Sequence, residues 1–396
     1  MLRKKILYVT AYYDGGIGKH LKSLLTHFYR CHTVTLASPE PAPISGEKGG
    51  DITYYRLPLN GGTPFFRDVN AMIRLSGLCR HVQPDLIHAH GFRAAMLSLP
   101  AAARCSCPVL VTVHNFLAYP EKSVLPASVF NRALRHIDPL VSWYITVSDA
   151  LRSYLTDCGI EAGRIKTIYN GVPEVFGKPG FVPLKRGYFK PSAWDRRNGG
   201  NDIIHIGTSG RLVPQKGMDI FIRAAAQLAS IYPRGRLRFY IAGDGPERER
   251  LEKLRNSLGL EDLLMFRGKV FNMDAFLAAL DIFVLASRSE GLSYSLLEAA
   301  ATRLPIVAAA SGGIPEVITH KKTGLLVPPG DSMTLAWALS GLVENPQTRI
   351  MLGTAAVDEV KRRFTEKKML AQTTSLYRKI IVPYGERGKG KIYLVK

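Results

Sequence analysis

The chain has 396 residues, more than one hydrophobic core usually supports, so we expect two domains. Hydrophobic residues make up 46% of it and charged residues 21%, as in a soluble globular protein, and no apolar run reaches the roughly 18 residues that cross a bilayer. The five cysteines contain no Cys-x-x-Cys pair, which favours a reducing cytoplasm and argues against a zinc site.

The net charge of +21 is distributed unevenly along the chain. Residues 201–350 hold 17 Lys and Arg against 15 Asp and Glu, so nineteen of the excess positive charges lie in residues 1–200 and 351–396. This asymmetry indicates an anionic partner for those two parts of the chain. We expect no nucleic acid among the partners, because no module is visible that would present aromatic and basic residues together as a binding platform.

Short apolar runs alternate with helical patterns, which predicts parallel strands joined by helices. A first set of strands is expected at residues 6–10, 33–37, 86–89, 109–113, 144–147 and 165–168. A second set is expected at residues 203–208, 237–242, 264–267, 282–286, 306–309 and 324–327. The chain therefore predicts two doubly wound α/β domains, residues 1–175 and 201–365.

Residues 176–200 are rich in Gly, Pro and basic residues and lack periodicity, which is typical of an interdomain linker. Residues 366–384 are expected to add a helix, and residues 385–396 a basic tail. In open sheets of this kind, ligands bind in the loops that follow the carboxyl ends of the strands.

The first such loop contains Gly15 and Gly16 and leads into a helical pattern. Glycines let backbone amides approach a phosphate, and a helix N-terminus favours negative charge. The spacing excludes a Walker A loop, because Tyr13 and His20 stand where Gly and Ser or Thr are required, and Leu21 excludes a Rossmann G-x-G-x-x-G. Taken alone, the loop is equally well a tight turn.

After residues 203–208 comes a turn bracketed by Arg211 and Lys216, followed by a second helical pattern. Two cations beside a helix N-terminus suit a diphosphate, since Arg offers a planar fork and Lys a point charge. A solvated loop is the alternative for this segment alone.

The run SEGLSYSLLE carries two glutamates after residues 282–286. A helix is expected to begin near Ser293, with the Ser293 hydroxyl as its cap, which places Glu290 in the loop and Glu298 inside the helix. Amides at Leu292 and Ser293 could hold a phosphate, whereas Glu298 suits the hydroxyls of a ribose and Glu290 those of another sugar. The alternative is that both glutamates are solvated, but Glu298 lies in an otherwise apolar helix start. Together the three loops indicate a nucleotide sugar.

A series of motifs runs through nearly the whole chain in order: GGIGKH, PDLIHAHG, VTVHN, YITVSDALRSYL, IYNGV, SGRLVPQKGMD, YIAGDGPERERLE, FRGKV, SRSEGLSYSLLEAAA, SGGIPEVI and GLLVPPGD. This series resembles the retaining group 1 glycosyltransferases (family 4) of GT-B fold. The resemblance implies two Rossmann-like domains facing a central cleft, with the helix of residues 366–384 crossing back to the N-terminal domain. It also implies that residues 1–175 bind the acceptor and residues 201–365 the nucleotide-sugar donor.

By position in these motifs, Arg211 and Lys216 are expected to hold the diphosphate, Glu298 the ribose and Glu290 the transferred sugar. His114 resembles the family's active-site histidine, whereas His88 and His90 are interpreted as structural or acceptor-side residues. The predicted catalytic residues are His114, Glu290, Arg211 and Lys216. The predicted donor-binding residues are Gly15, Gly16, Arg211, Lys216, Gly268, Lys269, Glu290, Gly291, Leu292, Ser293 and Glu298.

The implied chemistry is sugar transfer with retained anomeric configuration, in which Arg211 and Lys216 stabilise the departing diphosphate. Neither glutamate is expected to act as a glycosidase-type nucleophile. No cofactor or metal is expected, since no D-x-D cluster is present and the family generally needs none. The expected partners are a UDP- or GDP-sugar, a glycan or lipid-linked acceptor of the cell envelope, and an anionic surface on the inner face of the cell membrane.

Two alternatives share the predicted donor site. Sugar-nucleotide epimerases of the same fold would bind the same donor, but they need acid and base groups that these motifs do not supply. A non-catalytic nucleotide-sugar-binding protein is disfavoured because every charged residue of the predicted donor site is present.

Overall fold

The structure is a computed structural model, which describes residues 3–13, 15–41, 52–59, 64–116, 134, 137–174 and 203–381. The chain divides into two compact units, Met1–Asn170 with Lys367–Lys396 as unit 1 and Gly171–Glu366 as unit 2. The predicted linker at 176–200 and the predicted tail at 385–396 lie outside the described residues.

Unit 1 is built on a seven-stranded sheet in the order β3-β2-β1-β4-β5-β6-β7, in which every pair of neighbours is parallel. Strands β1, β4 and β5 are buried almost throughout, as expected for a sheet covered on both faces. The strands are β1 (Lys5–Thr10), β2 (Thr33–Ser38), β3 (Ile52–Arg56), β4 (Leu86–His90), β5 (Val109–Val113), β6 (Trp143–Thr146) and β7 (Ile165–Thr167).

Helices α1 (Gly15–Phe28), α2 (Pro64–Val82), α3 (Phe92–Cys105) and α4 (Asp149–Asp157) connect these strands. The last helix of the chain, α11 (Glu366–Ile380), adds Met369, Leu376 and Tyr377 to the core that α1 forms with the sheet. The predicted return of the final helix to the N-terminal domain is therefore confirmed.

A buried chain of hydrogen bonds ties α11 to the sheet. The Tyr377 hydroxyl lies 3.0 Å from the Tyr8 hydroxyl and 2.6 Å from His88 Nδ1, and His88 Nε2 lies 2.7 Å from Thr112 Oγ1. Each of these polar side chains is buried and has a partner, so α11 is anchored by directional contacts as well as by apolar packing.

Unit 2 is built on a six-stranded parallel sheet in the order β10-β9-β8-β11-β12-β13. The start and the end of the chain segment that forms unit 2 lie close together, since the amide of Glu366 donates a hydrogen bond to the carbonyl of Val172. The strands are β8 (Ile204–Ser209), β9 (Leu237–Ala242), β10 (Leu264–Gly268), β11 (Ile282–Leu285), β12 (Ile306–Ala309) and β13 (Leu325–Val327).

The helices described in unit 2 are α5 (Met218–Ile231), α6 (Arg248–Ser257), α7 (Met273–Ala278), α8 (Tyr294–Ala301), α9 (Ser332–Glu344) and α10 (Pro346–Arg363). Helices α5 and α9 pack with β8, β9 and β11 in one apolar core. In the described part of the chain, none of the helices combines the length and the apolar character needed to cross a bilayer.

The predicted fold class, two doubly wound α/β units, is confirmed, and each predicted strand is present with ends shifted by at most two residues. One strand was not predicted. Strand β3 lies at the edge of its sheet, and all of its residues, Ile52–Arg56, are exposed or half-buried, so no apolar run marks it.

Four buried histidines lie together in unit 1: His20, His88, His90 and His114. The ring centroids of His88 and His90 are 4.2 Å apart, and that of His20 lies 5.0 Å from that of His114. Burial lowers the pKa of His20 to about 4 and lowers the pKa of the other three well below the usual histidine value. The cluster is therefore neutral at physiological pH.

This cluster should make the protein acid-sensitive. In the unfolded chain a histidine binds a proton near pH 6.5, whereas in the folded chain these four bind it only at lower pH. The folded state is therefore most stable above pH 6.5 and loses stability as the pH falls below that value, in the case of His20 until about pH 4. Each histidine adds up to about 1.4 kcal/mol per pH unit to the slope of unfolding free energy against pH.

We expect His20→Asn to remove about one quarter of the slope due to the cluster, because the asparagine can still contact Asn170 but cannot titrate. Guanidinium unfolding between pH 5 and 8 measures the slope, and His81→Asn, at an exposed position of α2, is the control. An unchanged slope in His20→Asn would contradict the account.

Candidate active site

The predicted donor residues lie at the carboxyl edge of the sheet in unit 2. Strand β8 stands between β9 and β11, so the chain crosses in opposite directions on its two sides. The loops after β8 and β11 therefore flank the switch point at which open α/β sheets bind ligands. Lys216 belongs to the first loop and Glu290 to the second.

The loop after β8 reaches the helix α5 through a tight turn. Residues Pro214–Lys216 form one turn of 3-10 helix, and Gly217 continues it with φ of 63°. A Cβ atom at Gly217 would lie 2.0 Å from the carbonyl oxygen of Ala286, at the end of β11. Only glycine permits both the left-handed backbone and this approach, which brings the two loops together.

Lys216 and Glu290 are in direct contact. Lys216 Nζ lies 2.5 Å from Glu290 Oε1, and the Ser287 hydroxyl donates to the same oxygen at 2.8 Å. The Glu290 side chain is 3% exposed and that of Lys216 25% exposed. A buried carboxylate is thus matched by a cation that still reaches the surface.

Arg288 joins the two loops a second time. Its guanidinium donates two hydrogen bonds to the carboxylate of Asp219, at 2.8 and 2.7 Å, and a third to the carbonyl of Pro214 at 3.0 Å. Burial by itself would raise the pKa of Asp219, but the hydrogen bonds and charge of Arg288 outweigh it and lower that pKa. We call the paired hydrogen bonds from Arg288 to Asp219 the Arg288 fork. Because Asp219 lies in the first turn of α5, the Arg288 fork fixes the start of this helix relative to the loop after β11.

Helix α8 follows Gly291, Leu292 and Ser293, all of which are buried. The Ser293 hydroxyl contacts that of Ser295 at 2.8 Å and accepts no hydrogen bond from the first turn, so the predicted cap is wrong. The N-terminus of α8 therefore has no side-chain cap from Ser293.

Glu298 is 5% exposed and lies in the second turn of α8 among buried leucine and alanine residues. The interpretation of Glu298 as a solvated residue is therefore wrong. The loop after β12 supports this region, because the Ser311 hydroxyl donates to the Ser287 carbonyl and the Gly313 amide to the Glu290 carbonyl.

The other donor residues of unit 2 lie at the same carboxyl edge. Arg211 follows β8 and is exposed. Gly268 ends β10 with φ of 63° and accepts from the Gly243 amide at 2.7 Å, and Lys269 follows it as an exposed residue.

Three predicted residues belong to unit 1. Gly15 and Gly16 form the exposed start of α1, after β1, and Gly15 has φ of 63°. His114 directly follows β5 and is 8% exposed, and its Nε2 lies 3.1 Å from Nδ1 of His90, at the end of β4. His90 Nε2 is buried and has no hydrogen-bond partner among the residues that the structure describes.

Neither Arg288 nor Asp219 was predicted as a site residue, and the contact of His90 with His114 was not predicted either. Arg288 lies two residues before Glu290, and charged residues next to a predicted site are the signal that could have found it. The pairing of His90 with His114 follows from the adjacency of β4 and β5, which no local pattern encodes. Among the described residues, no three His, Cys, Asp or Glu side chains form a set that could hold a metal ion.

Two family models match this chain. The model described as glycosyl transferases group 1 matches residues 203–345, and the model described as Glycosyltransferase Family 4 matches residues 14–175.

Several curated proteins are similar to the chain over much of its length. D-inositol 3-phosphate glycosyltransferase of Kribbella flavida is 30% identical over 320 residues, 77% of this chain and 73% of that protein. The lipopolysaccharide core biosynthesis glycosyltransferase LpsD of Rhizobium meliloti is 36% identical over 166 residues, 42% of this chain and 47% of that protein. The chain thus spans about half the length of LpsD.

Solved structures share the fold. HepE of Anabaena, in complex with UDP and glucose, has a TM-score of 0.79 and 22% identity, with 95% of this chain and all of that one covered. Sucrose-phosphate synthase of Thermosynechococcus elongatus has a TM-score of 0.78 and 21% identity, with coverage of 96% and 99%. The two family models and the similarity to the Kribbella protein, which covers 77% of this chain, agree with the two GT-B-like units. The chain therefore belongs to the group 1 (family 4) glycosyltransferases.

Proposed function

We propose that this protein transfers a sugar, with retention of anomeric configuration, from a nucleoside diphosphate sugar to a glycan or lipid-linked acceptor. The observation that carries the proposal is the contact of Lys216 with the buried Glu290 at the switch point of the unit 2 sheet. A cation and a hydroxyl-binding carboxylate side by side match a ligand in which a diphosphate joins a sugar.

The diphosphate is assigned to Lys216, Arg211 and the start of α8. A sugar leaves as the bond between its anomeric carbon and the diphosphate oxygen breaks, so negative charge grows on that oxygen. Lys216 and Arg211 supply positive charge there, and the amides near Leu292 and Ser293 supply hydrogen bonds.

The sugar hydroxyls are assigned to Glu290 and the ribose hydroxyls to Glu298. An ionised carboxylate only accepts hydrogen bonds, so a buried one suits a partner with several hydroxyl donors. In the present structure Glu290 Oε1 is bound by Lys216 and Ser287. Donor binding would let Lys216 turn toward the diphosphate while hydroxyls take its place on Glu290.

His114 is proposed as an active-site histidine and Gly15 and Gly16 as ligand-binding backbone. The support is their place at the carboxyl edge of the unit 1 sheet, where ligands bind in this class of fold. Burial, together with the nearby His20 and His88, lowers the pKa of His114 and keeps it neutral, so it would serve as a hydrogen-bonding group rather than as a cation.

UDP-sugars are the first donors to test, because HepE was solved with UDP and with UDP-glucose, and GDP-sugars are the second. A cell-envelope acceptor is favoured by the similarity to LpsD, and the basic charge of residues 1–200 favours an anionic membrane surface nearby. Turnover without a metal ion is proposed because Lys216 and Arg211 supply the charge that a metal would otherwise provide.

The proposal is tested by release of nucleoside diphosphate from UDP-, GDP- and ADP-sugars in the presence of EDTA. We expect one donor class to be turned over, and Glu298→Gln to weaken donor affinity about ten- to hundredfold because a charged acceptor of ribose hydrogen bonds is lost. Glu249→Gln, at an exposed position of α6, is the matched control.

Failure of every donor to react, inactivation by EDTA that magnesium reverses, or an unchanged donor affinity in Glu298→Gln would each contradict a part of the proposal. The anomeric configuration of the product, read by NMR, tests retention. Conversion of the donor to an epimer without any acceptor would favour the epimerase instead.

Arg288→Lys tests whether the fork on Asp219 positions the donor loops. Lysine keeps the charge but cannot make two parallel hydrogen bonds, so Lys216 and Glu290 should shift relative to each other. We expect kcat/KM for the donor to fall about ten- to hundredfold. In a Lys216→Ala background the same change should have little further effect, because Arg288 acts through Lys216.

The control is Arg349→Lys, which replaces an arginine that donates to the carbonyls of Leu342 and Val343. If Arg288→Lys lowers kcat/KM as much in the Lys216→Ala background as it does alone, Arg288 has a structural role only. A drop in thermal stability large enough to explain the lost activity would lead to the same conclusion.

A further inference from the structure

Helices α2 and α3 form one layer on unit 1. Helix α2 connects β3 to β4 and α3 connects β4 to β5, so both connections cross the sheet in the same direction. Right-handed crossovers then place both helices on the same face of the sheet. Connection α1 runs the opposite way, from β1 to β2, so the face that carries α1 and α11 is the other one.

The outer side of this layer exposes four large apolar side chains. Phe66 is 70% exposed, Ile73 65%, Met96 44% and Val69 38%. Phe66, Val69 and Ile73 are spaced by three and four residues and so lie on one side of α2, and Met96 lies on α3, which packs against α2. We call these four residues and the exposed arginines described next the α2–α3 face.

The polar part of this face is basic. The exposed positions of α2 between 66 and 80 are Phe66, Val69, Asn70, Ile73, Arg74, Gly77 and Arg80, and α3 adds Arg104. The single acid of the two helices, Asp68, is only half-exposed and is bound by Arg93 at 2.6 Å. Exposed arginines are thus uncompensated by any exposed acid on either helix.

Unit 2 offers a contrast that points to the partner. Its helix α9 exposes Met333 and Trp337, but residues 201–350 carry nearly equal numbers of acidic and basic residues. The α2–α3 face instead combines apolar side chains with positive charge, in the half of the chain that holds the charge excess. That combination is characteristic of helices that lie on an anionic bilayer surface.

We propose that the α2–α3 face docks on an anionic lipid bilayer. Arg74, Arg80 and Arg104 attract the headgroups within about one Debye length, roughly 8–10 Å at physiological salt. Phe66, Ile73 and Met96 enter the boundary between headgroups and acyl chains. The inference deepens the proposed function, on which its biological meaning rests, because an acceptor on a lipid would be met at that surface.

The test is co-sedimentation of the full chain, without donor, with vesicles of phosphatidylcholine alone and of phosphatidylcholine with about one-third phosphatidylglycerol. We expect binding to the anionic vesicles at low salt, loss of that binding at high salt, and no binding to the neutral vesicles. Absence of binding at low salt, or equal binding to both vesicles, overturns the proposal.

Two pairs of variants locate the surface. Arg74→Gln with Arg104→Gln should weaken vesicle binding about 25-fold, since each arginine near the surface contributes about 1 kcal/mol, or about fivefold. Phe66→Ser with Ile73→Ser should also weaken it. Met333→Ser with Trp337→Ser, on α9, removes as much exposed apolar surface and should leave binding unchanged.

All six positions are exposed, and circular dichroism of each variant confirms that it is folded. Equal binding by all three pairs overturns the assignment of the face. A further outcome is that the parent protein self-associates without binding vesicles and that Phe66→Ser with Ile73→Ser abolishes this self-association. This result would assign the α2–α3 face to a second copy of the chain and would also overturn the proposal. Donor turnover is measured in the same preparations, so a failure of docking and a failure of the transferase activity are seen separately.

Discussion

The contact between Lys216 and Glu290 sets the requirements for the rest of unit 2. A carboxylate that is 3% exposed is costly unless a cation and hydrogen-bond donors surround it, and here Lys216 and Ser287 meet its Oε1 oxygen. Lys216 and Glu290 are far apart in sequence and follow two different strands. Their contact therefore demands that β8 and β11 be neighbours and that their loops be held at a fixed distance.

Several features meet that demand. Gly217 lets the first loop approach the end of β11, the Arg288 fork binds the start of α5 to the second loop, and Ser311 and Gly313 bind the second loop from the other side. A charged pair held in this way is preorganised, so a ligand that replaces one charge with its own need not reorder the backbone. In unit 1 the four clustered histidines are instead neutral, because burial lowers the pKa of each of them.

Much of this could be predicted from the sequence, for identifiable physical reasons. Buried parallel strands are near-continuous apolar runs, so twelve strands were predicted, whereas β3 was missed because it is an edge strand with exposed residues. The rule that ligands bind after strand ends selected Lys216, Glu290 and Glu298. The mutual contacts were not predictable: Lys216 with Glu290, Arg288 with Asp219 and His90 with His114 depend on strand order. Ser293 has the right position and residue type for a helix cap, but its hydroxyl is hydrogen-bonded to the hydroxyl of Ser295 instead.

The central claim is that Lys216 binds the diphosphate and Glu290 the sugar of one donor. Calorimetric titration of UDP and of UDP-glucose into Lys216→Ala and Glu290→Gln separates the two roles. The account predicts that Lys216→Ala weakens both ligands, each about tenfold or more, whereas Glu290→Gln weakens UDP-glucose and spares UDP. Equal weakening of UDP and UDP-glucose by Glu290→Gln, or an unchanged affinity for UDP in Lys216→Ala, would contradict it.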